Sequence, residues 1–119
     1  MFSHEKLRVY CLSIEFVAWA YNIAKTFKGI DQSVKDQIIR ASQSIPLNIA
    51  EGNGRKPTAD RSRFFQIAYG SALECAAIID VLFACKVIQL EESEKAKNYL
   101  DQIVAMLIVL ISKFNTEKN

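Results

Sequence analysis

Apolar residues recur along this chain at intervals of three and four, the period of an α-helix, and nowhere alternate as a half-buried strand requires. The pattern predicts four helices, over residues 6–27, 32–52, 59–87 and 92–114. Gly29 and the stretch from Asn53 through Gly54, Arg55 and Lys56 to Pro57 punctuate it. Thr58 is placed to cap the third helix, and Asp60 suits its first turn. Short connections between long helices favour antiparallel neighbours. The expected fold is therefore all-α: a single domain over residues 1–119, built as an antiparallel up-down-up-down four-helix bundle.

The second helix carries the most information. At about 100° per residue, Gln37, Arg40, Ser44, Asn48, Glu51 and Arg55 fall within an arc of roughly 80°. Ile38, Ile39, Ile45, Ile49 and Ala50 fill the rest. Two readings stand for this polar row: a solvated helix face, or a partly buried seam. Ser44 and Asn48 are mediocre helix formers, which favours the seam. Pro46 would leave the Ser42 carbonyl without its helical donor, at a cost of about 3 kcal/mol unless the chain bends and nearby polar side chains compensate. The third helix supplies a counterpart. Its stripe Phe64, Ile67, Ala68, Ser71, Cys75, Ile78, Leu82 is apolar except at Ser71, and Glu74 borders it. Across an antiparallel turn, Glu74 approaches Arg40 and Ser71 lies near Ser44 or Asn48. The expected structural row is thus Arg40, Ser44, Asn48, Glu51, Ser71 and Glu74.

Two helices are apolar on more than one side. In the first, Leu7, Cys11, Ile14, Ala18 and Tyr21 form one stripe, and Val9, Leu12, Phe16, Trp19, Ile23 and Phe27 another. The run from Ile103 to Ile111 makes much of the fourth helix apolar all round. A bundle helix needs one inward stripe, and surplus apolar surface marks an interface, so self-association is expected.

Composition adds bounds. The 119 residues carry 15 Lys/Arg and 13 Asp/Glu, a net charge of +2 that implies no strong overall field. Cys11, Cys75 and Cys85 lack metal or redox spacing and read as buried free thiols in a reducing compartment. No signal-peptide pattern opens the chain. The run 103–111 is far short of the roughly 20 residues that span a bilayer. The expectation is a soluble cytoplasmic protein.

LRVYCLSIEFVAWAYNIAKTF, QIIRASQSIPLNIAEGNGR and RFFQIAYGSALECAAIID, in this order and spacing, resemble the four-helix-bundle family of 23S rRNA intervening-sequence proteins. The likeness runs from residue 7 to 114. SIPLNIAEGNGR and FFQIAYGSALE are its specific parts. Cys75 and Ala76 depart from the more polar residues expected after Glu74, which argues against an extended acidic site there. The resemblance implies a homo-oligomeric ring, a pentamer, encoded in bacterial genomes. It also implies kinship with the accessory protein of diversity-generating retroelements, which binds nucleic acid and a reverse transcriptase. No enzymatic activity comes with it.

A direct search for chemistry agrees. His4 is the only histidine, so neither a histidine metal cluster nor a Glu-x-x-His di-iron motif can be built in one subunit. GNGRKPT lacks the phosphate-loop spacing and its preceding strand. No cofactor, metal or catalysis is expected. Arg55, Lys56, Arg61 and Arg63, opposed by Asp60, cluster at the second connection, and a ring would repeat that patch around its axis. Two functions stay open. One is an adaptor that binds RNA or DNA through these four cations. The other is a protein–protein scaffold, with the basic loop merely solubilising.

Overall fold

The computed structural model describes residues 1–29 and 32–115. A short 3-10 turn, Ser3–Lys6, precedes four α-helices: α1 (Arg8–Ala24), α2 (Gln32–Asn53), α3 (Ala59–Ala84) and α4 (Leu90–Asn115). No strand occurs among the described residues. α1 packs on α2, α2 on α3, α3 on α4, and α4 returns to α1. The 3-10 turn sits against α1 and α2.

The helix ends differ from those read off the periodicity, each for a local reason. Leu7 is extended (φ −80°, ψ 125°), so α1 starts two residues later and the 3-10 turn stands apart. α1 stops at Ala24, where the Thr26 hydroxyl donates to the Ile23 carbonyl at 2.6 Å. Phe27 lies beyond the helix but is still buried. α3 stops at Ala84 because Lys86 turns left-handed, with φ 63°. That conformation closes a helix end, and glycine more often supplies it. α4 starts two residues before the predicted position. The Glu92 carboxylate reaches back to accept the Gln89 N–H at 2.7 Å, as the third residue of a capping box does. Thr58 accepts the Asp60 N–H at 3.4 Å at the head of α3.

α2 runs unbroken through Pro46, which is buried. The Asn48 amide donates to the Ser44 carbonyl at 2.8 Å rather than to that of Ser42. The core is aliphatic and aromatic in layers. Phe16, Ile38, Ile45, Ile49, Phe65, Ile79, Ile103 and Leu107 are among its largest sealed side chains. Each stabilises the fold by about 1.5–3 kcal/mol relative to exposure.

In α1 the Val9–Phe16–Ile23 side faces inward while Cys11, Ile14, Ala18 and Tyr21 are exposed, in line with the surplus apolar stripe expected there. Two sequence expectations need correction. In α3 the inward face is rotated from the predicted stripe, so Phe65, Ala72 and Ile79 are sealed while Ile67 is exposed. Of the three free cysteines, Cys75 alone is buried, because Cys11 lies on the outer side of α1 and Cys85 in the turn after α3. By length and composition α3 is the one described helix that could cross a membrane, with a mean hydropathy of 1.7 over its most apolar window. In this fold it forms the wall between α2 and α4, and Ser62, Ala68, Ser71, Cys75 and Leu82 are buried along it.

Candidate nucleic-acid interface

The α2–α3 connection is compact because α2 ends on glycines. A Cβ at Gly52 would come within 3.0 Å of Phe64 Cβ and of the Phe65 ring, so the two helices meet there only because that atom is missing. The Gly54 N–H then closes the helix on the Ala50 and Glu51 carbonyls, at 3.1 and 3.2 Å. The Arg55 N–H follows onto the Gly52 carbonyl at 3.0 Å.

The four cations expected around this turn divide by role. Arg61 faces the backbone. Its Nη2 donates to the carbonyls of Arg55 at 2.6 Å and Asn53 at 3.0 Å, and its Nε donates to Arg55 at 3.1 Å. Its guanidinium also lies 4.9 Å over the Phe114 ring. It therefore satisfies carbonyls at the C-terminal end of α2, where the helix dipole favours positive charge. Arg55 and Arg63 face outward around one ring, 4.9 and 4.5 Å from the centre of Phe64. They also share one carboxylate. Arg63 pairs with Asp60 at 3.2 Å, while Arg55 pairs with Glu51 at 2.7 Å and reaches Asp60 at 3.9 Å. All these groups are about half exposed, so the pairs are screened and each contributes about 0–1 kcal/mol. Lys56 is exposed and has no ion pair among the described residues.

Phe64 is the member that sequence reasoning missed. Assigned to the apolar stripe of α3, it serves as a platform that spaces two guanidiniums. Its place directly after Arg63 was visible, but the approach of Arg55 across the turn was not.

The polar row behaves differently along its length. At its centre the Ser71 hydroxyl, buried, donates to the Ser44 hydroxyl at 2.7 Å, and the Asn48 amide donates to the same oxygen at 3.0 Å. At one end Arg40 and Glu74 meet at 3.5 Å, with side chains 70% and 39% exposed. That pair is a surface contact, not a buried one. At the other end Glu51 turns to Arg55 and so joins the basic cluster. Among the described residues no buried side-chain nitrogen or oxygen lacks a partner.

Cations gather beyond the turn as well. The Asn53 amide donates to the Ser3 hydroxyl at 2.7 Å, which brings the 3-10 turn and the start of α1 to this end of the molecule. Lys113 lies 5.3 Å over Phe114, the same ring that Arg61 covers. Lys6, Arg8, Arg55, Lys56, Arg61, Arg63 and Lys113 thus stand at one end against Glu5, Glu51 and Asp60. No group of three metal-binding side chains occurs among the described residues.

A four-helix, all-α protein with a cationic end and a hydroxyl–amide seam between two of its helices is the class that these features define. The chain belongs to the family of 23S rRNA-intervening sequence proteins, whose profile matches residues 5–109. It is similar to a solved protein of unknown function from the S23 ribosomal protein family of Bacteroides thetaiotaomicron VPI-5482. The two share 28% identity with a TM-score of 0.82, over 87% of this chain and 97% of the other. No curated protein matches the chain.

Proposed function

We propose that this protein is a non-enzymatic adaptor that assembles into a homo-oligomeric ring and binds RNA or DNA through its basic end. The observation that carries the reading is a local excess of charge: among the described residues, seven Lys/Arg stand against three carboxylates at one end of a chain whose net charge is only +2. Arg55, Lys56 and Arg63 are the phosphate-contacting groups. Arg61 keeps the turn in shape. Contacts of this kind are salt-sensitive and nearly sequence-blind.

Within the subunit, the pairings Arg40 with Glu74, Ser44 with Ser71, Lys97 with Asp80 and Phe16 with Tyr99 support an up-down-up-down course of the helices. The exposed apolar residues Ile14, Ile108 and Val109 support assembly through α1 and α4. The same exposed surface supports a second reading, in which α1 and α4 hold a partner protein, such as a reverse transcriptase, and nucleic acid is not bound.

Fluorescence anisotropy separates the two. Labelled RNA and DNA should bind the wild-type oligomer at about 50 mM salt and weaken steeply by about 200 mM. The triple variant Arg55→Glu, Lys56→Glu, Arg63→Glu should lose affinity on the order of a hundredfold, with a salt slope shallower by about one per phosphate contact removed. Undiminished binding by the variant would sink the basic-end reading. No binding by the wild type at low salt would leave the scaffold.

A further inference from the structure

The 3-10 turn holds a feature that phosphate contact does not use. Phe2 is 73% exposed, more than any other Phe, Tyr or Trp among the described residues. It is nonetheless held in place. Its N–H donates to the Glu5 carboxylate at 3.0 Å, and its carbonyl accepts the Glu5 N–H at 3.1 Å. Its ring stacks on His4, with centroids 5.8 Å apart and planes within 10°. His4 in turn meets Tyr10 edge-on at 4.7 Å. The result is a short ladder of rings, backed by α1 and carrying an exposed aromatic at its tip.

The ladder is fastened to the cationic end. Ser3, between Phe2 and His4, accepts a hydrogen bond from Asn53, whose carbonyl is one of those that Arg61 holds. A flat apolar ring and a set of guanidinium and ammonium groups thus occupy one end of the molecule.

We propose that Phe2, supported by His4, is a base-stacking platform, and that the ligand of the basic end is single-stranded nucleic acid. The inference rests on the phosphate-contacting reading of that end and adds the form of the strand. Bases in a duplex cover each other's faces, whereas an unpaired base offers a face to an aromatic side chain. A cationic track beside an exposed ring is the combination that single strands select, with little dependence on sequence.

The test uses the full chain and labelled oligonucleotides of about twelve nucleotides, as single-stranded RNA, single-stranded DNA and the DNA duplex. Phe2→Ala should weaken both single strands about tenfold, leave the salt slope unchanged and leave the duplex unaffected. Phe2→Trp should restore binding, and Phe2→Leu should not. Because Phe2 is exposed, thermal melting of these variants should match the wild type. Single-strand affinity unchanged in Phe2→Ala, but lost in the Arg55/Lys56/Arg63 reversal, overturns the platform and leaves the phosphate reading intact. Wild-type protein that binds no oligonucleotide overturns both. Phe2-dependent co-sedimentation with phosphatidylserine vesicles, without any Phe2 effect on oligonucleotides, overturns the platform in favour of a lipid contact.

Discussion

Cys75 shows how much a single side chain can owe to its surroundings. Burial in the core pushes its thiol up from 9.0 to about 12, and the neighbouring Glu74 carboxylate adds to the shift. Below pH 9 the thiol is protonated in the folded and unfolded chain alike and contributes no pH dependence. Between pH 9 and 12 the unfolded chain releases a proton that the folded chain retains, so stability falls as pH rises. Urea midpoints should therefore drop between pH 8 and about pH 10.5 in the wild type. The drop should be smaller in Cys75→Ala, and an equal drop in both proteins would refute the assignment. Cys11 and Cys85 are exposed. Hydropathy could not separate the three thiols in advance. All three sit in largely apolar stretches, and only packing decides which side of a helix is covered.

Between elements, Arg61 is the joint that keeps the end of α2 against the start of α3. Arg61→Ala would leave the Asn53 and Arg55 carbonyls without their charged donor and uncover part of Phe114. The expected loss is about 2 kcal/mol, measurable by chemical denaturation. Arg61→Lys should recover only part of it, because an ammonium cannot reproduce the planar fork. A loss below about 0.5 kcal/mol would mean that water replaces the guanidinium at no cost. A binding screen that included Arg61 would therefore report a folding defect as a lost contact. The helices and the meeting of Ser44 with Ser71 follow from phase, because a helix fixes the direction of every side chain once a few positions are anchored. The Arg61 role had no such signal. Its partners are main-chain carbonyls, and residue types along a sequence say nothing about which carbonyls a turn leaves open. The 3-10 turn escaped for a similar reason: four residues are too few to establish a period.

For the whole molecule, the outer apolar surface sets the assembly question. Val109 is 65% exposed and lines a groove with Leu7, Val9, Met106 and Leu110. Val109→Asp should cost the subunit under about 1 kcal/mol, since the site faces outward and the loss is mainly helix propensity. Sedimentation velocity should show wild-type protein as a multiple of 13.5 kDa and the variant at the single-chain mass, with its helical circular dichroism retained. A variant that still assembles would place the joint elsewhere. The sequence pointed to surplus apolar surface on α1 and α4 but not to this groove, which needs residues from both helices. The chain measures 51 × 26 × 22 Å, and at one tip of that long body seven of its Lys/Arg residues stand against three described carboxylates. On the phosphate-contacting reading proposed above, such a rod should turn like a compass needle near a polyanion at low salt, its uneven ends aligning it before any side chain makes contact, so that the basic end leads.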